Sequence, residues 1–334
     1  MNVTIREVAR EAGVAVSTVS LVLNHKGRVS RETERKVLEA IEKLHYHPQR
    51  SARGLVTRHS GNLGFILSSD HFSNAEPFYT KIFLGTEFEA RSHDYYVLLT
   101  TIEQQFSEKN IPRFLLEKNV DGVILAGTVP QKILDYIKER ALPCVLIDYY
   151  PTTGNYSSVL IDNADGIRQA VNHLIEKGHR DLVFVGGDFQ HPGMRERREA
   201  FCQTMAEHGL DASAPRIFAD ALLSGAQEGF EAAVQALENG IKATAFVAAN
   251  DALASGILRA CRDRKLRIPE DVAITGFDDV ETAITARPTL TTLHVPKEEM
   301  GALAVRLLVQ LIAGTASVGT KIVVPVRLVC REST

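Results

Sequence analysis

EAGVAVSTVSLVLN, residues 11–24, decides how the rest of the chain is read, because Gly13 separates two apolar repeats of helical spacing. Upstream, Thr4 and Glu7 stand three apart, the spacing at which each side chain can bond the other's unpaired backbone N–H at a helix start. Ile5, Val8, Ala9 and Ala12 then share one face, and the helix stops at Gly13. A second helix is expected from Val16 to Asn24, with Val19, Val22 and Leu23 inward and Val16, Ser17, Ser20 and Leu21 outward. A third begins after Ser30 and turns Val37, Leu38, Ile41 and Leu44 inward until His47-Pro48 ends it. Two helices about a tight glycine turn, braced by a third, make a helix-turn-helix.

The surrounding composition supports a separate head. The chain has 334 residues and a formal net charge of −3, yet its first 60 residues carry 11 Lys+Arg against 6 Asp+Glu, while the remainder carries 27 against 35. A basic head on an acidic body suits a nucleic-acid partner. The opening MNVTIREVAREA has no continuous apolar core, so neither a secretory signal nor a membrane span is expected. Cys144, Cys202, Cys261 and Cys330 show no CxxC pair, which favours reduced core thiols in a cytoplasmic protein over disulfides or zinc.

From Asn62 onward, NLGFIL, YVLLTT, GVILAG, PCVLID, SSVLID, LVFVGG, AFVAAN and VAITGFDD alternate with helix-sized segments. Short β-rich runs spaced this way mean βαβ units and mainly parallel sheets, and their number over about 230 residues predicts two lobes. Ligands of parallel sheets bind beyond the carboxyl ends of strands. That singles out Asp148, Asp162-Asn163, Asn250-Asp251 and Asp278-Asp279, with Arg197 in the helix after LVFVGG. Asp251 and Asp279 read as capping or hinge residues.

The residues Thr4-Ile5-Arg6-Glu7-Val8-Ala9, Ala12-Gly13-Val14, Thr18-Val19-Ser20 and Val22-Leu23-Asn24 resemble the heads of the LacI/GalR (lactose/galactose repressor) family of bacterial transcription regulators. The likeness continues through Val29-Ser30, Leu44-x-Tyr46-x-Pro48 and Ala52-Arg53-Gly54-Leu55 into the body. It implies a multidomain chain: an all-α helix-turn-helix head at residues 1–47, a hinge helix or linker at 48–60, and a two-lobed α/β periplasmic-binding-protein-like body at 61–334. Lobe 1 is expected at about 61–161 plus 292–321, and lobe 2 at about 162–291 plus 322–334. The DNA-contacting set it implies is Thr4, Val16, Ser17, Thr18, Ser20, Leu21, Asn24, Arg50, Ala52, Arg53 and Leu55. The position matching Leu55 is an apolar minor-groove wedge, and Arg50, Arg53 and Arg58 are placed for backbone contact.

The resemblance also implies an effector pocket lined by Asp148, Arg197, Asn250 and Asp278, with Phe78 and Tyr79 over the ligand. Several carboxylates and amides with one Arg suit a polyhydroxylated molecule, so the expected effector is a carbohydrate. Further implied partners are a double-stranded operator and a second copy of the chain; with no heptad tail after Cys330, a homodimer is expected. A phosphocarrier protein stays open as another partner. No cofactor, metal or membrane is expected.

This chain departs from the family at four places. Val295 stands where Gln or another polar residue is common, and Leu222, Leu223 and Ser224 stand where an aromatic residue is common. Position 21 is commonly Arg and position 15 commonly Ser; here they are Leu21 and Ala15. Losing a Ser cap costs about 1 kcal/mol unless the helix starts later, at Ser17. Val16 and Leu21 can touch only apolar base surface, chiefly thymine methyl groups, which predicts A·T pairs opposite them.

An enzyme is disfavoured: GxxxxGK[ST], GxGxxG after the first strand, HExxH and GxSxG are all absent, and the histidines show no metal-ligand spacing. A secreted sugar-binding carrier would share the body but needs a signal peptide and no head, the reverse of what is read here.

Overall fold

Three short helices and two parallel sheets follow from these patterns in the computed structural model, which describes residues 3–23, 29–46, 59–69, 77–103, 110–213, 216–218 and 224–334. The chain divides into two units, residues 1–60 and 61–334.

In the first unit, α1 (Ile5–Ala12), α2 (Val16–Leu23) and α3 (Arg31–Lys43) close around Val8, Ala9, Val19, Val22, Val37 and Ala40. The Glu7 carboxylate accepts from the Thr4 amide at 2.7 Å and the Thr4 hydroxyl at 2.9 Å, starting α1 as the spacing predicts. Gly13 ends it at φ 66°, a left-handed conformation that costs glycine little. Ser30 caps α3 by accepting from the Thr33 amide at 3.2 Å. Leu38 is a correction: it is 51% exposed and takes no part in the core, which Ala40 enters instead. Heptad spacing leaves 37 and 38 on adjacent stripes, and packing against the other two helices selects only the first.

The second unit alternates β1 (Asn62–Ser68), α4 (Pro77–Ser92), β2 (Tyr96–Ile102), α5 (Arg113–Leu116), β3 (Gly122–Ala126), α6 (Gln131–Glu139), β4 (Cys144–Ile147) and β5 (Ser157–Ile161). It continues with α7 (Asn163–Glu176), β6 (Leu182–Val185), α8 (Pro192–Glu207), β7 (Ile217–Phe218), α9 (Ala226–Glu238), β8 (Ala245–Ala248), α10 (Asp251–Asp263), β9 (Ala273–Thr275) and α11 (Glu281–Thr285). The chain returns through β10 (Thr292–His294), α12 (Lys297–Ile312), β11 (Lys321–Val324) and β12 (Arg327–Val329).

Among the described residues the strands form two parallel sheets, one of order β11-β5-β4-β3-β1-β2 and one of order β7-β6-β8-β9. All five residues of β3 and all four of β6 and β8 are buried, as strands covered by helices on both faces must be. β10 and β12 form an antiparallel ladder of their own, joined to β9 and the turn after it by single parallel bridges, Thr275 to Thr291 and Asp278 to His294. The chain therefore passes between the sheets after β5, again around β10, and again between β11 and β12. One lobe boundary needs correction: β11 pairs with β5, register Ile322 to Val159, so residues 322–324 belong to the first sheet and not to lobe 2. The short run KIVV alone gives no sign of which sheet edge it will join.

Close helix contacts fix the positions of α4 and α12. A Cβ at Gly85 would lie 1.9 Å from the Glu298 carbonyl oxygen, and one at Gly301 would lie 2.1 Å from that of Ile82. The two glycines let the backbones touch, which holds the start of α12 against the helix that carries Phe78 and Tyr79.

Candidate functional site

Candidate residues gather on two surfaces, one in each unit. In the head, Val16 and Leu21 are each 42% exposed and Ser17 is exposed beside them, while Thr18 and Ser20 are half-buried. The expected outward face of α2 is therefore present, with apolar side chains at both of its ends. The helix begins at Val16, and the Ala15 carbonyl accepts from Thr18 at 2.9 Å and Val19 at 3.2 Å, so Ser17 does not supply the missing cap by a later start. Asn24, Arg50, Ala52, Arg53 and Leu55, with Arg58, lie outside the described residues.

In the body, four of the expected effector residues converge from distant parts of the chain. Asp148, just past β4, is buried and takes φ 56°. Tyr79, near the start of α4, donates its phenol to Asp148 Oδ2 at 3.0 Å. Burial first, then the Asp148 charge, pushes that phenol well above its ordinary pKa, so Tyr79 is a fixed donor. Arg197, on α8, donates through Nε to Asn163 at 2.8 Å and through Nη1 to the Ala249 carbonyl at 2.5 Å. Its guanidinium lies 3.7 Å from the centre of the Phe277 ring, and Nη1 is 3.9 Å from Asp278 Oδ1. Nearly all of Arg197 is buried, a condition a guanidinium tolerates only when its donors are occupied and a carboxylate is near.

The other two expected residues are placed differently. Phe78 is buried, edge-on to Tyr79 with ring centres 5.0 Å apart. Asn250 caps α10, accepting from the Leu253 amide at 2.8 Å, and donates to the Ser224 carbonyl at 2.9 Å. Both ends of its amide thus serve the fold. Val295 is fully buried and apolar, and Leu222 and Leu223 lie outside the described residues.

Residues absent from the expected set complete the cluster. His191 caps α8, accepting from the Gly193 amide at 3.2 Å through Nδ1, and turns Nε2 to within 3.6 Å of Asp148. Burial holds its imidazole below the usual range, outweighing the opposite pull of Asp148. Glu196 accepts from the Tyr150 phenol at 2.6 Å and from Asn163 at 2.8 Å. These contacts join the loop after β4 to α7 and α8, so they span the two lobes. The sequence does contain a signal for them: Glu196 directly precedes Arg197, and Asn163 directly follows a strand-end Asp. Ser68 ends β1 fully buried, with a hydroxyl that has no hydrogen-bond partner among the described residues.

Beneath the cluster, Asp251 accepts from the Thr292 hydroxyl at 2.5 Å and the Val280 amide at 2.9 Å, while Asp279 pairs with Arg331 at 2.6 Å and His294 at 2.8 Å. Both tie the second lobe to the crossing strands. Burial raises the Asp251 carboxyl to about 7 despite its two donors. A carboxyl whose folded pKa exceeds its unfolded value holds its proton more tightly in the native state. Stability from this group is therefore present at low pH and falls as pH rises from about 4 to about 7. Asp251→Asn is expected to flatten that slope in urea titrations run across this range; an unchanged slope would remove the assignment.

Among the described residues, no group of three or more His, Cys, Asp or Glu side chains is placed to hold a metal ion, and no helix is long and apolar enough to cross a membrane.

Residues 4–49 match the model for bacterial regulatory proteins of the lacI family, and residues 171–334 match that for a periplasmic binding protein-like domain. Catabolite control protein A of Priestia megaterium is 33% identical over 337 residues, covering 100% of both chains. The ribose operon repressor of Escherichia coli (strain K12) is 32% identical, covering 92% of each. Among solved structures, the lac repressor dimer bound to operator and the anti-inducer ONPF is 28% identical with a TM-score of 0.85, covering 100% of this chain and 99% of that one. The transcriptional regulator CelR in complex with cellobiose is 29% identical with a TM-score of 0.76, covering 100% of each.

Proposed function

The chain belongs to the lacI family of bacterial regulatory proteins, and we propose that it is a repressor that binds a near-palindromic operator as a homodimer and is released or tightened by a neutral sugar held between its body lobes. The observation that carries the sugar reading is the convergence of Asp148 and Asp278, past the ends of β4 and β9, with Tyr79 from α4 and Arg197 from α8, a mixture of donors and acceptors suited to a molecule of several hydroxyls. Relatives named for ribose and cellobiose support the class of ligand. Coupling of roughly 1–3 kcal/mol between the cleft and the head would change operator affinity about five- to 150-fold.

A second copy has an apolar face to meet. Leu84 and Phe88, one turn apart on α4, are both exposed, as are Tyr96 and Leu99 on the edge strand β2. A DNA-bound regulator of this kind works in the cytoplasm, and a phosphocarrier protein is a further partner to test by adding it to the operator assay.

On the DNA side, Val16 and Leu21 predict A·T pairs in the half-site opposite α2, with further discrimination coming from the deformability of the operator centre. Selection of duplexes from a random pool is expected to return A·T-rich positions there; a strict guanine opposite Leu21 would overturn this. With the selected operator in hand, a thermal-shift screen of sugars, sugar phosphates and nucleobases identifies the effector. Hypoxanthine or guanine shifting the melt while no carbohydrate does would refute the sugar.

A further inference from the structure

Lys297 is the first residue of α12, and nearly all of it is buried. Both facts are unfavourable on their own. A cation at a helix N-terminus opposes the helix dipole, and an ammonium taken out of water loses several kcal/mol of hydration unless it is fully bonded. Among the described residues the ammonium is bonded to backbone: the carbonyl of Asp278, the carbonyl of Asp279 at 3.3 Å and that of Val295 at 3.1 Å.

The turn it grips is itself strained. Asp278 adopts φ 111° and Asp279 φ 54°, two successive non-glycine residues with positive φ. Such a pair persists only where its surroundings fix it. The Asp278 amide is held by the Leu293 carbonyl at 2.9 Å and the Asp279 side chain by Arg331 and His294, and Lys297 bonds the carbonyls of both residues of the turn. Burial lowers the pKa of the Lys297 ammonium; the carboxylates of Asp278, Asp279 and Asp251 oppose that shift, and Lys81 adds to it. The Phe78 ring lies 6.0 Å from the ammonium on the other side.

We propose that Lys297 is a positioning residue for effector binding, fixing the Asp278–Asp279 turn so that the Asp278 carboxylate faces Arg197, and tying that turn to α12 and, through the close Gly85 and Gly301 contacts, to α4. The consequence for ligand binding rests on the reading of the cleft as a sugar site; the positioning of the turn does not. The arrangement also gives lobe closure a mechanical output, because a ligand that draws in Asp278 pulls on the start of a helix packed against α4, whose other side carries the exposed Leu84 and Phe88.

Two measurements on the full-length protein test this. Lys297→Met keeps the length of the side chain without its charge, and Lys297→Arg keeps the charge; Lys297→Gln, which retains amide donors, replaces Met if that protein does not fold. Hydrogen exchange is expected to speed up at least tenfold in residues 276–282 of the uncharged variant, with the rest of the second sheet unchanged and the Arg variant close to wild type. Titration calorimetry with D-ribose, D-glucose, D-galactose and cellobiose is expected to give at least tenfold weaker binding of whichever sugar the wild type takes, with partial recovery in the Arg variant. Wild-type exchange at 276–282 overturns the positioning role, and faster exchange with wild-type sugar affinity overturns its consequence for binding. If none of the four sugars binds the wild type, the sugar reading of the cleft fails, and the exchange data alone decide for or against the turn.

Discussion

Arg197→Leu is expected to weaken binding of the effector sugar about 30- to 1,000-fold, a loss of roughly 2–4 kcal/mol, as removal of one partner from a buried hydrogen-bonded charge pair typically does. Leucine fills much of the volume over Phe277 but cannot donate to Asn163 or to the Ala249 carbonyl, and it leaves Asp278 facing a hydrocarbon. Three effects then add in one direction. The carboxylate loses its cation, the β8 end loses its tie to α8, and Asn163 loses the contact that holds it toward Glu196. Arg197→Lys is expected to recover only part of this, since a point charge cannot stack on Phe277 and bond in two directions at once. Calorimetry with the sugar found in the thermal-shift screen measures the effect, and circular dichroism separates it from unfolding. Binding of the Leu variant within threefold of wild type would show that the guanidinium is structural and takes no part in recognition.

The second large effect concerns packing. Gly301→Val is expected to destabilise the body by about 3 kcal/mol, at the upper end of typical overpacking costs, because the atom in the way is backbone and cannot rotate aside. Its first added carbon would meet the Ile82 carbonyl oxygen at 2.1 Å and the Thr86 amide nitrogen at 2.6 Å. The hydroxyl of Thr86 already bonds the same Ile82 carbonyl at 3.0 Å, so moving α4 away breaks that contact as well. For a body of this size the thermal midpoint should fall roughly 6–12 °C. Ala302→Val, one residue on and half-buried, puts the same β-branched side chain on α12 without the clash and should cost well under half as much, although it loses helix propensity where Gly301→Val gains a little. Equal losses in the two variants would mean that the helices slide apart freely, and the tie from Lys297 to α4 would lose its stiffness.

Much of this protein was legible from local signals. The head was, because glycine at a left-handed turn, Thr4 with Glu7, and Ser30 before a polar run act within one helical turn. Leu38 escapes local signals for the same reason: spacing defines an apolar stripe about two residues wide, and only the neighbouring helices choose its centre. In the body the alternation of buried strands and helices gave parallel sheets and two lobes, but KIVV could not announce that it would pair with Ser157–Ile161 some 160 residues earlier.

Strand ends told where to look for the site, and Asp148, Arg197 and Asp278 do gather there. Which atoms meet was another matter. Tyr79 bonds Asp148 across 69 residues, Arg197 reaches Ala249 across 52, and Lys297 grips Asp278 across 19. Asn250 stands at a strand end like the others, yet its amide is consumed by a cap and by Ser224. Periodicity and turn chemistry, which act over a few residues, suffice for the two kinds of unit and for the outward face of EAGVAVSTVSLVLN. That Glu196 and His191 join the cleft, and that a buried lysine sets its geometry, follows from long-range packing alone, because those contacts exist only after the chain has crossed between its lobes three times.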